Sequence, residues 1–381
     1  MSSKIEFVEK ATKPKANVSA LCREYGISRQ TGYKLLRRFK LRGYDGLEEE
    51  SRRPKTTPLA TAEDVIAAVL AVRKRHPRWG AKKLMVVLRR SLGEATPSVR
   101  TVHRLLKRFG RIKPRRARPH LSVVDSAPNV IAKRPNDVWT IDFKGWWRTG
   151  DGERVNPLTI RDAYSRFVLA LELVESSTGD VVRDVMLRLF RRYGLPSAIQ
   201  CDNGSPFIST QSMGGLTKLS AWWVSLGIRL VRSRPGSPQD NGGHERMHVD
   251  IAGDLESDPE DTLLLQQRAC RRWRQVFNHI RPHEALGQKT PGEVYKPSTR
   301  KYAVRRPLFP SAWPTRKVSI NGMVGMDGDE VFISTALQGY TVALEPRRGG
   351  GLRHRVWFYD LQLGEVEVAG VRADHVHRLV G

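Results

Sequence analysis

Cysteine is scarce in this chain. Cys22, Cys201 and Cys270 are the only three among 381 residues, far apart and without a Cys-x-x-Cys pair. That spacing excludes a disulfide framework or a cysteine-built zinc site as the basis of the fold. Long apolar runs are lacking too. No stretch approaches 18 apolar residues, and the start, Met1-Ser-Ser-Lys-Ile-Glu, has no apolar signal core. A membrane span is not expected, and a soluble, intracellular protein is. Acidic residues are the third shortage: 39 Asp and Glu face 66 Lys and Arg, a net charge of +27. A polyanionic partner is the physical reading of that surplus, though a ribosomal or membrane-surface protein could share it.

What is present is unevenly placed. Residues 1–135 hold 33 Lys and Arg against 11 Asp and Glu, so +22 of the net +27 sits in the first third of the chain. With 39% hydrophobic residues the chain can build packed cores, and its length asks for about two to four domains. A nucleic-acid-binding front end joined to a chemically different body is expected.

Residues 1–50 read as a helix-turn-helix domain. Val18, Leu21, Cys22 and Tyr25 are spaced as one helix face, Gly26 can end that helix, and Ser28 can cap the next. The second helix offers Arg29, Gln30 and Thr31 to base edges and Lys34, Arg37 and Arg38 to phosphates. A three-helix bundle with a solvated basic face is the alternative. After the Arg52-Arg53-Pro54 linker, residues 58–110 read as a second helical module. Its helices are expected over 62–75, 81–90 and, from an N-cap at Thr96 and an N1 proline at Pro97, up to Gly110. The last carries Arg100 and Arg104 and repeats the look of the first recognition helix; a compact basic spacer is the competing reading. Residues 111–136 form a basic linker whose Arg115, Arg116 and Arg118 could track a phosphate backbone.

From Asp137 the pattern turns mixed. Strands are expected at 138–143, 157–160, 167–173, 198–201 and 228–232, with helices at 178–193, 216–226 and around Glu245, an α/β order with a mixed sheet. Asp142 and Asp202 both end strands. Two carboxylates held that close repel unless a cation lies between them, and hard oxygen donors suit Mg²⁺, with Mn²⁺ as a substitute. A third carboxylate, Glu245, completes a site for two such ions and in-line attack on phosphorus. Asp137, Asp162 and Asp240 fit loop, turn or helix caps better, and Asp250 faces away from Glu245. Arg246 fits a phosphate contact or a surface salt bridge. His248 reads as a packing residue, and His283-Glu284 as a turn with Ala285 and Leu286 in the core.

Here the residues resemble a family. Trp139-Thr-Ile-Asp142, Asp202-Asn-Gly-Ser-Pro-Phe and Pro238-Gln-Asp-Asn-Gly-Gly-His-Glu245-Arg are similar to the three signatures of DDE transposases with a retroviral-integrase-like core. Phe277-Asn-His-Ile-Arg-Pro-His-Glu-Ala-Leu-Gly and Cys22-Arg-Glu-Tyr-Gly-Ile-Ser-Arg-Gln-Thr-Gly-Tyr-Lys resemble segments of bacterial insertion-sequence members. The resemblance implies an RNase H-like catalytic core over residues 137–295 and Mg²⁺-dependent DNA strand transfer. It also implies work as a dimer or tetramer on double-stranded DNA, and a cytoplasmic, nucleoid-associated protein, with a separate ATPase target selector as a further partner to consider. Asp202 and Glu245 stand 43 positions apart, more than is usual in such cores. The extra length is expected in a surface loop around 209–218.

Residues 313–370 alternate like strands at 318–320, 331–333, 340–344 and 356–359, with Asn321-Gly322 and Asp327-Gly328 as hairpin signals. They read as a small β-barrel in which Arg347, Arg348, Arg353 and Arg355 suit DNA contact, with protein–protein contact as the competitor. Three functions stay open: a transposase, a metal nuclease that does not join strands, and a regulator with a dead core.

Overall fold

The computed structural model describes residues 2–49, 60–112, 130–234, 238–326, 329–347, 353–367 and 379–380. Two compact units divide the chain, residues 1–62 and 63–381.

In the first unit, α1 (Ser2–Ala11), α2 (Val18–Glu24) and α3 (Arg29–Arg42) enclose a small core of Phe7, Val8, Cys22, Leu35 and Leu47. Helix α1 had no place in the sequence reading, because its apolar residues are too few to set a period. Ser28 caps α3 as expected, its Oγ accepting from Thr31 N at 3.1 Å. Arg29, Gln30, Thr31, Lys34 and Arg37 are exposed along α3. Arg38 is half-buried instead, donating to the Glu48 carbonyl at 2.5 Å.

The second unit begins with α4 (Glu63–Arg75), α5 (Ala81–Leu92) and α6 (Val99–Arg108), packed around Val69, Trp79, Leu84, Leu88, Val102 and Leu106. The cap of α6 is Ser98, accepting from Thr101 N at 3.2 Å, and not Thr96, whose hydroxyl donates to the Gly93 carbonyl. Ser98 is the residue whose oxygen can reach the free amides of the first turn. Arg100 and Arg104 are exposed on α6.

The body follows: β1 (Val138–Phe143), β2 (Trp147–Arg148), β3 (Arg154–Asp162), β4 (Val168–Val174), α7 (Gly179–Tyr193), β5 (Ala198–Cys201), α8 (Lys218–Ser225), β6 (Arg229–Arg232), α9 (Gly242–Ile251), α10 (Leu263–His279) and α11 (Pro291–Val294). Six strands form one mixed sheet in the order β2-β3-β1-β5-β6, with β4 on β3. β3 pairs antiparallel with β1 and β4, whereas β5 runs parallel to β1 and β6. This is the RNase H-like arrangement the resemblance implies. β1 and β5 are central strands and are buried over most of their length, which is why they read as apolar runs.

Helix α8 is buried from Leu219 to Ser225. Leu219, Trp222 and Trp223 join the main core, whereas Ala221 and Val224 join the core of the C-terminal module. The stretch expected as a surface loop is part of the same joint. Leu216 is buried in the C-terminal core and Ile208 bridges to it. Gly214, at φ 69°, sits so near Leu363 that a Cβ would come within 2.7 Å of its side chain. The extra residues between Asp202 and Glu245 thus serve docking.

The C-terminal module comprises β7 (Thr315–Lys317), β8 (Met323–Met326), β9 (Asp329–Phe332), β10 (Thr341–Pro346), β11 (Arg353–Phe358), β12 (Leu361–Glu367) and β13 (Leu379–Val380). Among the described residues these make an open five-stranded antiparallel sheet, β13-β12-β11-β10-β7, beside the β8–β9 hairpin. The barrel expected from the sequence is not closed there, because β7 and β13 each have one partner. The strand expected at 318–320 lies earlier, at β7, and β8 and β12 were not foreseen. Arg353 and Arg355, read as DNA contacts, pair with Glu367 and with Glu365 and Glu345. Asp327, Gly328 and Arg348 lie outside the described residues, as do Arg52, Arg53, Arg115, Arg116 and Arg118.

Candidate active site

Sheet register decides where the acids go. β1 and β5 run in parallel with Thr140 opposite Gln200, so Asp142 and Asp202 leave neighbouring strands two residues beyond that pair, at the same end of the sheet. Helix α9 carries Glu245. Asp142 is half-buried, whereas Asp202 and Glu245 are exposed. Burial pushes the Asp142 carboxyl up to about 7, and the charges of Asp202 and Glu245 push in the same direction. The three carboxylates therefore share one electrostatic field. Asn241, at the start of α9, donates to Asp142 Oδ2 at 3.2 Å, and Asp202 folds back to accept from Gly204 N at 3.2 Å.

The tightest group of ligand-capable side chains among the described residues is different: Asp142, His244 and His248, with ligand atoms within 4.8 Å of one another. Sequence reasoning took His248 for a packing residue and passed over His244. They lie four apart in His-Glu-Arg-Met-His, a spacing that puts two side chains on one helix face. Thr159 Oγ1, on β3, lies 2.6 Å from His244 Nε2, 2.8 Å from His248 Nε2 and 2.9 Å from the Asp142 carbonyl. A hydroxyl has one proton, and a carbonyl can only accept, so Thr159 donates to Asp142 and accepts from both rings. His244 Nδ1, 2.8 Å from Thr140 Oγ1, is then the acceptor for that second threonine. Both rings are neutral in this scheme. Burial holds His244 well below the usual histidine range and lowers His248 to about 4, with Lys144 and Arg161 adding to the latter. The network fastens α9 to the two strands beneath it, and with it the backbone that aims Glu245.

The rival acids have other work. Asp162 accepts from Asn136 N and from Ser165 N and Oγ, closing the β3–β4 turn. Asp137 accepts from the amides of Lys133 and Arg134, and Asp240 is held by Arg234 at 2.7 Å. Asp250 makes a buried ion pair with Arg281 at 2.6 Å. His283 packs edge-on against Phe277, but Ala285 is exposed and Leu286 only half-buried. The tight 283–287 turn leaves those two no core to enter.

Comparison with known proteins agrees with this architecture. Integrase core domain families match residues 132–238 and 226–291, a homeodomain-like domain matches 31–106, and a helix-turn-helix domain matches 3–55. An uncharacterised protein of insertion element IS476 from Xanthomonas euvesicatoria is 25% identical over 252 residues, 65% of this chain and 69% of that one. The corresponding protein of IS407 from Burkholderia multivorans is 25% identical over 232 residues, 61% of this chain and 80% of that one. Among solved structures, the HTLV-2 integrase catalytic core in complex with magnesium aligns with 44% of this chain and 100% of its own, at 17% identity and a TM-score of 0.34. Helix-turn-helix domains in front, an integrase core behind them and insertion-element proteins as relatives place the chain among the bacterial insertion-sequence DDE transposases, which are polynucleotidyl transferases.

Proposed function

We propose that this transposase cuts DNA at element ends and joins them to a target, with Asp142, Asp202 and Glu245 holding two divalent ions. The observation that supports this reading is the convergence of the acids: Asp142 and Asp202 leave neighbouring parallel strands at one end of the sheet, and burial, with the charges of Asp202 and Glu245 added, raises the Asp142 pKa. Three carboxylates that repel one another, all hard oxygen donors, fit Mg²⁺ or Mn²⁺ better than any softer ion. Ions bound there would neutralise charge at phosphorus and ease deprotonation of the attacking water or 3′-hydroxyl. The chain's own part is positional. Asn241 orients Asp142, and the Thr159–histidine network keeps α9 seated, so that the donor set is preorganised.

The exposed start of α3, Arg29, Gln30 and Thr31, would meet base edges, with Lys34 and Arg37 on phosphates; Arg100 and Arg104 on α6 would extend that grip. Each chain carries one such donor set, so acting on two element ends takes at least two copies.

The test offers purified protein a labelled duplex carrying the element end, target plasmid and Mg²⁺. Joined products are expected, and Asp202→Asn should abolish cutting and joining, by roughly 10³-fold or more, while leaving end binding intact. An active Asp202→Asn protein would overturn the metal site. Cleavage without joining would favour a plain nuclease.

A further inference from the structure

Behind α9, on the side away from Glu245, lies a cavity of about 420 Å³. Five cationic side chains from five segments of the chain line it: Lys83 of α5, Arg161 of β3, Arg166 of the β3–β4 turn, Arg246 of α9 and, beyond α10, Arg281. Two carboxylates, Asp250 and Glu284, share the lining. Both are engaged. Asp250 is paired with Arg281 at 2.6 Å and approached by Arg246 at 3.9 Å, and Glu284 is paired with Lys82 at 2.5 Å. Arg161 donates to the Gly243 carbonyl. A Cβ on Gly243 would meet its guanidinium at 2.9 Å, so glycine is what lets that arginine lie there.

Two carboxylates leave most of the charge of five cations unbalanced within the lining. Arg161 and Arg281 are more than nine-tenths buried, yet the Nε of each lacks a hydrogen-bond partner. His283, equally buried, has an unpartnered Nε2. Arg166 is held at φ 63°, a conformation costly for a side-chain-bearing residue, and kept against the cavity all the same. Burial together with Arg281 lowers the Lys83 ammonium to about 8, and burial with Arg281 and Lys83 lowers His283 to about 3. Like charges gathered this closely, part-desolvated, are unfavourable until an anion joins them.

The geometry points to an oxyanion pocket that receives a phosphate group, supplied by the backbone of bound DNA. Guanidinium forks and an ammonium are the donors that match phosphate oxygens. The neighbouring cavity favours DNA as the source. About 610 Å³ in volume, it shares Lys83 and Glu284 with the first and is lined by Lys82 of α5 and by Arg100 and His103 on the exposed face of α6. A backbone lying along α6 is thereby led toward Lys83. Only this choice of source rests on the transposase reading; the oxyanion chemistry does not.

Two measurements on the full chain test it, with Lys83→Gln, Arg166→Gly and Arg246→Gln beside wild type. Glycine at 166 keeps the backbone conformation, and Arg246, whose side chain is 68% exposed, can be replaced without threatening the fold. Affinity for an element-end duplex is measured across a salt series, and melting is followed with and without millimolar inorganic phosphate. Each variant should lower the salt slope by about 0.9, the share of one phosphate, and weaken binding about tenfold. Phosphate should raise the melting temperature of wild type and leave the variants unmoved. Protection by phosphate with an unchanged slope would overturn DNA as the source and leave a free oxyanion as the ligand. No protection and no change in slope would overturn the pocket. Asp202→Asn should match wild type in both measurements, so failure of the catalytic reading and failure of this one remain separate.

Discussion

The two sides of α9 hold polar groups in opposite ways. Toward the sheet, His244 and His248 are neutral and share Thr159, so this network of rings and hydroxyls carries no net charge of its own. Away from it, Arg246 and Asp250 join a cavity where cations outnumber carboxylates five to two. The Thr159–histidine network on one side is complete within the chain, and the surplus of cations on the other asks for something from outside it. Glu245 follows His244 of that network in the chain. That is where the proposed ligand, which needs fixed geometry, belongs, because a buried, hydrogen-bonded network moves little.

Breaking the complete side should cost most. Thr159→Val keeps the shape but strands two buried imidazole N–H groups, and should destabilise the protein by about 3 kcal/mol in denaturant unfolding. Thr159→Ser should restore most of it. Equal stability for the valine variant would mean that the histidines are packed and not wired.

A smaller effect of opposite sign is expected at Asp142 in metal-free buffer. Its folded-state pKa, about 7, lies above the ordinary 3.8, so the folded chain takes up a proton more readily than the unfolded one. Stability is then highest below pH 4 and falls as pH rises toward 7. Asp142→Asn should therefore raise stability at pH 8 by about 1–3 kcal/mol and change little at pH 4. Adding Mg²⁺ should stabilise wild type and not the variant. A melt that shows no such reversal would separate Asp142 from the ion.

The least effect on folding belongs to the open side. Arg246→Gln should leave unfolding within about 0.5 kcal/mol of wild type, although its salt slope should drop. A large loss of stability would make Arg246 a structural partner of Asp250.

Local physics made much of this protein legible. Ser28 was readable as a cap because a hydroxyl before a helix has one obvious job, and Asp142 and Asp202 were readable as strand-end acids because buried β1 and β5 are apolar runs that stop abruptly. Where hydroxyls were crowded, as at Thr96 and Ser98, the sequence could not tell which oxygen reaches the open amides. Glu245 was readable through its motif, but His248 looked like packing and His244 drew no reading, since their partner Thr159 lies some 85 positions earlier.

The sequence by itself determined the division of charge, the helix-turn-helix front, the mixed sheet and the acids at its strand ends, all set by neighbours within a few residues. Only the tertiary structure decided that residues 208–216 dock the C-terminal module, that this module stays an open sheet among the described residues, and that five cations meet behind α9. Each of these depends on groups far apart in the chain, brought together by burial of apolar surface that is blind to sequence distance. Periodicity and motif spacing carry no record of such meetings.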